Sequence, residues 1–172
     1  MKIRNFCLTL KNNNIKYYLS QLPDIYRTCD VPIIIVPNNY FGYLIWCIYA
    51  WYYNLEDRNY NEYKKYLGTA YFKGLSHEPL LIYCKYKSKY QLADTLFHEL
   101  RHWYQQKYMK MFHTNANNYD IEISNKEYDN LPLEKDANTF AKKYCKKLGI
   151  KYATIKGESW ILAHKSKVKG LK

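Results

Sequence analysis

The chain has 172 residues, of which 48% are apolar and 24% are charged, and it contains 21 tyrosines and four tryptophans. This length and composition predict a single folded domain over residues 1–172 and exclude a disordered chain. The formal net charge is +12, and residues 142–172 carry ten lysines but only one acid, Glu158. We treat residues 150–172 as a basic C-terminal extension. Contact with nucleic acid through it is possible, but a solvated basic end is the interpretation we favour.

The cysteines and the N-terminal residues favour a cytoplasmic protein. The five cysteines form no CxxC pair, and their odd number leaves at least one thiol free in any intramolecular disulfide scheme. The apolar part of residues 1–10 is too short for the core of a signal peptide. No partner subunit is indicated, so we assume a monomer.

The first half of the chain predicts two helices and a small sheet. We expect a helix near residues 15–25, and the β-branched run 31–37, bounded by prolines, predicts a buried strand. The uncharged segment 40–55 is shorter than the roughly 18 to 20 residues that span a bilayer. It predicts a buried or substrate-facing helix, with a membrane-surface segment as the alternative, and no transmembrane segment. Stretches 68–72 and 79–86 predict two strands that pair across a turn.

The second half of the chain predicts two helices. The first, over residues 89–110, has apolar residues at spacings of three and four, namely Leu92, Leu96, Leu100 and Trp103. The second covers residues 132–148, because Pro132 suits a first helical turn and Gly149 suits a helix stop. Strands followed by helices predict an α+β fold.

The first of these helices carries the sequence His98-Glu99-Leu100-Arg101-His102, an HExxH motif. Residues four apart lie on one helical face, so His98 and His102 can present two imidazole nitrogens to one metal ion, for which Zn²⁺ is the expected choice. Glu99 projects about 100° from His98, where a general base for a zinc-activated water belongs. Arg101 points away from the histidine pair and is expected to form a salt bridge. The alternative is a pair of ordinary buried histidines beside an exposed glutamate.

A catalytic zinc site needs a third protein ligand and one open position. Gln105 and Tyr108 stand where metzincins have glycine and histidine, so that class is excluded. The ligand must come from further along the chain, and the residues able to supply it are His113, Glu122, Glu127, Glu134, Asp136 and His164. Glu134 is the best placed, because it opens a helix whose apolar face can pack on the first one. Helical periodicity alone leaves a narrow choice between Glu134 and Asp136.

The sequence HELRHWYQ at 98–105, followed by the stretch 132–141 (PLEKDANTFA), resembles the gluzincin-like HExxH peptidases of the ImmA/IrrE type and related small phage and bacterial proteins. The resemblance covers roughly residues 68–148. It implies a minimal zincin-like domain in which a small sheet precedes the HExxH helix and an ExxAxxFA-like helix supplies the third ligand. The resemblance thereby implies that Glu134 is the third metal ligand and that Asn138 occupies the position of a residue that orients a metal ligand.

These features lead to the expectation of a zinc metallopeptidase that hydrolyses a protein or peptide substrate, with Glu99 as the general base. Tyr128, Tyr104 or His113 could donate to the oxyanion, and Tyr128 could equally well only pack. The alternative is a non-catalytic, metal-bearing regulatory or nucleic-acid-associated domain that uses the basic C-terminus.

Overall fold

The computed structural model describes residues 3–7, 11–29, 31–37, 39–52, 60–63, 68–70, 80–84, 89–109, 131–155 and 158–162. Its helices are α1 (Asn12–Ser20), α2 (Asp24–Arg27), α3 (Tyr40–Tyr52), α4 (Tyr60–Tyr63), α5 (Lys89–Tyr104) and α6 (Pro132–Lys147), and a π-helical turn, Gln105–Met109, continues α5. Its strands are β1 (Ile3–Asn5), β2 (Ile33–Pro37), β3 (Gly68–Ala70), β4 (Leu80–Cys84), β5 (Lys151–Ile155) and β6 (Glu158–Leu162).

Four strands form a mixed sheet in the order β1-β2-β4-β3. Strands β1, β2 and β4 are parallel, whereas β3 runs antiparallel to β4 and occupies an edge. Parallel neighbours need crossover connections, and helices α1 and α2 lie between β1 and β2 in the chain. The predicted pairing of residues 68–72 with 79–86 is confirmed over β3 and β4, and the α+β organisation is confirmed.

Strand β2 is buried on both of its faces. Ile33 and Ile35 belong to the larger apolar core, which also contains residues of α1, α5 and α6. Ile34 and Val36 point the other way, into a second cluster with α3. Because successive strand residues alternate between faces, the uninterrupted apolar run of β2 fits a strand that helices cover on both sides.

Helix α3 confirms the prediction of a helix in segment 40–55, but only one of its sides is buried. Trp46 is fully buried and Tyr49 is 9% exposed on the side that faces β2. The outward side exposes six large apolar residues, Tyr40, Phe41, Leu44, Ile48, Trp51 and Tyr52. Among the described residues, no helix combines the length and the apolar character needed to cross a membrane.

Helices α5 and α6 pack against each other and carry the chemistry-bearing residues. The four apolar residues predicted for the inner face of α5 are 0–4% exposed, which confirms its amphipathic pattern. Helix α6 begins at Pro132, as predicted, and Gly149 follows its end with φ of 73°. The Gly149 N–H donates to the Lys146 carbonyl at 2.9 Å and the Ile150 N–H donates to the Cys145 carbonyl at 3.0 Å. This Schellman arrangement satisfies the last helical carbonyls and explains the stop.

Several parts of the structure differ from the sequence prediction, among them the short helix α4 and the π-helical turn after α5, neither of which was predicted. The helix expected near 15–25 is divided into α1 and α2, because Pro23 disfavours helical geometry at Leu22. Strand β1 was not predicted. Part of the expected basic extension forms the antiparallel β5-β6 hairpin, whereas residues 163–172 lie outside the described part of the chain. The four cysteines with described side chains, Cys7, Cys29, Cys47 and Cys145, form no disulfide bond with one another.

Candidate metal centre

Three side chains from the two packed helices converge on one point. The Nε2 atoms of His98 and His102 lie 2.9 Å apart. The Glu134 carboxylate lies 3.2 Å from Nε2 of His98 through Oε2 and 3.3 Å from Nε2 of His102 through Oε1. One potential ligand atom from each residue lies within 4.8 Å of the other two, so the cluster could hold a metal ion.

Side-chain amides orient both imidazole rings. Nδ1 of His98 lies 3.0 Å from Oδ1 of Asn138, and Nδ1 of His102 lies 2.8 Å from Oε1 of Gln105. An amide oxygen only accepts hydrogen bonds, so both contacts are satisfied when the Nδ1 atom carries the proton. The Nε2 atoms are therefore directed toward the cluster. Partners that hold the distal nitrogen in this way are typical of metal-binding histidines.

The three side chains are shielded from solvent. Glu134 is 2% exposed, His102 is 7% exposed, and His98 is partly buried. Burial lowers the pKa of His98, but the hydrogen bond with Glu134 and the charges of Glu99, Glu134 and Asp94 outweigh it, so the pKa is raised above 6.5. The raised pKa favours a proton on His98, whose positive charge balances part of the negative charge buried beside it.

Glu99 is 7% exposed, so it is buried beside the histidine pair and not the exposed residue that the alternative interpretation required. Its charge acts on His98, whose pKa it helps to raise. A carboxylate next to the cluster, on the helix that supplies both histidines, is suitably placed to exchange a proton with a group bound there.

Asp136 lies outside the three-residue cluster and binds Arg101. Its Oδ2 accepts from Nε of Arg101 at 2.6 Å, and its Oδ1 accepts from Nη2 at 3.1 Å. Burial raises the pKa of Asp136, but hydrogen bonds from Arg101 and Gln105 and the charges of Arg101 and His102 lower it below 3.8 overall. The salt bridge expected for Arg101 is confirmed, and Glu134, not Asp136, lies with the histidines.

Gln105 is a site residue that the sequence analysis did not identify. It is fully buried, and its Nε2 donates to Oδ2 of Asp136 at 2.7 Å and to the Leu133 carbonyl at 3.0 Å. Its position three residues after His102 places it on the same face of the helix, and this spacing is the signal that could have identified it.

The remaining candidates take no part in the described cluster. Tyr104 packs instead against Tyr26, with ring centroids 5.3 Å apart, and its ring lies 4.9 Å from the Arg101 guanidinium carbon. The other five fall outside the described residues: His113, Glu122, Glu127, Tyr128 and His164.

The three donor groups suit a divalent metal ion that accepts both nitrogen and oxygen ligands. Two imidazole nitrogens and a carboxylate are a common protein ligand set of catalytic zinc. Ligand atoms at about 2.0–2.1 Å from a tetrahedral ion stand roughly 3.3 Å apart. The separations of 3.2 Å from Oε2 and 3.3 Å from Oε1 to the imidazole nitrogens are close to that value, and the two nitrogens, 2.9 Å apart, are somewhat closer together. The residues therefore fit a metal in size and in chemistry.

A family model described as "Protein of unknown function (DUF3920)" matches residues 52–151, which is more than half of the chain. The matched range contains the three residues of the cluster, His98, His102 and Glu134. It also contains Glu99 and Gln105. No curated protein and no solved structure matches the chain.

Proposed function

We propose that this chain, which belongs to the DUF3920 family of proteins of unknown function, is a zinc metallopeptidase with a zincin-like domain. The observation that carries the proposal is the convergence of His98, His102 and Glu134 within 4.8 Å, next to the buried Glu99. A bound zinc ion would acidify a water molecule and polarise the scissile carbonyl group of a protein or peptide substrate.

The protein residues have separate tasks in this proposal. His98, His102 and Glu134 would hold the ion, and Asn138 and Gln105 contact the Nδ1 atoms of the two histidines. Glu99 takes the proton of the attacking water and delivers it to the leaving amine. With Zn²⁺ bound, two neutral imidazoles and one carboxylate would leave about one positive charge on the site, which would stabilise negative charge on the substrate carbonyl oxygen.

The choice of zinc rests on the ligand chemistry. Imidazole and carboxylate together suit zinc, whereas magnesium and calcium prefer sites made of oxygen ligands alone. The resemblance of the HELRHWYQ and PLEKDANTFA stretches to gluzincin-like peptidases supports the same reaction class.

Replacement of Glu99 by Gln tests the proposal. We expect the purified protein to contain about one zinc per chain, by elemental mass spectrometry, and to cleave peptides in a defined synthetic library read by mass spectrometry. Glu99→Gln should keep the zinc and lose cleavage by a factor of at least about 10². Asp24→Asn makes the same change of a carboxylate to an amide at an exposed acid outside the cluster, and it should leave both the zinc content and the cleavage unchanged.

Two outcomes would contradict this function. Absence of zinc from gently purified protein would remove the metal site. Cleavage at the wild-type rate by Glu99→Gln would leave the metal site standing but would assign the proton transfer to another group.

A further inference from the structure

A continuous line of polar contacts leads away from His102 through the interior. Nδ1 of His102 lies 2.8 Å from Oε1 of Gln105, and the amide nitrogen of Gln105 lies 2.7 Å from Oδ2 of Asp136. Asp136 is bound in turn by two nitrogens of Arg101. The line therefore joins a histidine of α5 to an ion pair between α5 and α6.

The surroundings of Gln105 determine which way its amide points. Its nitrogen faces two groups that can only accept, the Asp136 carboxylate and the Leu133 carbonyl. Rotation of the amide by 180° would set its oxygen against both of these acceptors and its nitrogen against His102. Because Gln105 is fully buried, water cannot relieve such a mismatch. The observed orientation is therefore strongly preferred.

The fixed amide in turn selects the tautomer of His102. Only a protonated Nδ1 can donate to Oε1 of Gln105, and a neutral ring that carries its proton on Nδ1 has its lone pair on Nε2. Nε2 is the atom that faces His98 and Glu134. The amide thus presents His102 in the form that can bind a metal.

The far end of the line is held just as firmly. Nη1 of Arg101 donates to the hydroxyl of Tyr26 at 3.0 Å, and the guanidinium carbon lies 4.9 Å from the ring of Tyr104 and 5.2 Å from that of Phe140. Stacking and bidentate pairing of this kind leave a guanidinium little freedom. Gln105 is consequently braced by residues of α2, α5 and α6.

We propose that Gln105 is a positioning residue that sets the metal-binding tautomer of His102 and transmits to it the rigidity of the Arg101–Asp136 pair. This proposal rests on the metal site of the proposed function, but it does not depend on peptidase activity. Loss of a partner that orients a ligand typically lowers metal affinity by a factor of about 10 to 100.

Two measurements test the proposal. At a pH above about 8, above the ordinary range of histidine pKa values, two-bond ¹H–¹⁵N spectra of protein with ¹⁵N-labelled histidine should place the His102 proton on Nδ1. This measurement uses the unaltered, metal-free protein, so it does not depend on the folding of any variant. A proton on Nε2 would overturn the proposal.

The second measurement is zinc affinity by competition with a chelating dye. Gln105→Met keeps a similar volume without donors or acceptors, and we expect it to weaken zinc binding by about 10- to 100-fold and to mix the two tautomers of His102. Gln21→Leu, which alters a half-buried glutamine bonded to Ser20, should do neither. Wild-type affinity and an unchanged tautomer in Gln105→Met would overturn the proposal.

The two proposals fail in different ways. A wild-type protein that binds no zinc contradicts the proposed function, whereas the tautomer measurement still decides the role of Gln105. Normal zinc binding with no effect of Gln105→Met contradicts only the role of Gln105.

Discussion

Asp136 engages Arg101 through both carboxylate oxygens, and this pair explains why two acids of one helix have different roles. Residues two apart on a helix differ in direction by about 200°. Glu134 therefore faces the histidines, while Asp136 faces Arg101 and Gln105.

Alanine substitutions of these two acids should separate their roles. We expect Glu134→Ala to lose most of its zinc affinity, because it removes a ligand. Asp136→Ala should keep the metal with affinity lowered by a factor of at most about 10 to 100, because it acts through Gln105. Zinc titration of both variants checks this, and the reverse order would identify Asp136 as the ligand.

His98→Ala should abolish stoichiometric zinc binding, because it removes one of three protein ligands. A metal bound only by the folded state adds about 2.7 kcal/mol of stability when its free concentration is 100 times Kd. Zinc should therefore raise the Tm of the wild type but not of this variant. His164→Ala, a change at one of the alternative ligands, should retain the metal. Full zinc content in His98→Ala would refute the site.

Rising pH should lower the stability of the metal-free protein but increase the stabilisation that zinc provides. The folded-state pKa of His98 is raised above 6.5, so its protonation stabilises the metal-free fold below pH 6.5. This contribution is lost as the pH rises through the raised pKa. Zinc competes with that proton, so the stabilisation by zinc should grow over the same window.

Thermal unfolding from about pH 6 to about pH 8, with a chelator and then with zinc, measures both trends. In the metal-free protein, His98→Gln should remove most of the fall in Tm with rising pH, because the glutamine side chain does not titrate. A metal-free wild type that becomes more stable through this window would show that the proton is not held as the structure indicates.

The two-sided burial of β2 makes this strand sensitive to truncation of its side chains. Ile35→Ala should lower the free energy of unfolding by about 2–5 kcal/mol, because it opens a cavity in a fully packed core. Ile48→Ala removes an equally large side chain that is 64% exposed, so its effect should stay within about 0.5 kcal/mol. Urea unfolding of the two variants gives the comparison, and equal losses would place β2 outside the core.

The elements with strong local signals could be predicted from sequence. Leu92, Leu96 and Leu100 repeat at the period of a helix, and Gly149 marks a stop that only a residue tolerant of positive φ fills easily. Strand β1 has three residues, which is too few for alternation to be recognised. The division between α1 and α2 depends on Pro23, which disfavours helical geometry at the preceding residue, Leu22. This signal is present in the sequence, but the prediction of one helix near 15–25 did not include it.

Some residues of the candidate site could be predicted from sequence, and others could not. His98 and His102 follow from spacing within one helix, whereas the choice of Glu134 over Asp136 depends on how α6 is rotated against α5. That rotation is set by packing between helices that are distant in sequence. Gln105 was missed because glutamine is not a metal ligand, and its importance comes from the two acceptors that α6 places beside it.

The outward side of α3 has a consequence for how the protein behaves in solution. Six large apolar side chains are exposed there on a chain whose net charge is +12. Repulsion between like-charged copies keeps such faces apart at low ionic strength, but the Debye length falls from about 30 Å at 0.01 M salt to about 3 Å at 1 M. Sulfate also strengthens apolar association, so light scattering by the protein should rise with sulfate concentration. The rise should be less steep for Trp51→Ser than for the wild type. The salt range in which the protein remains dispersed is thus governed by a helix on the opposite side of the sheet from the metal centre.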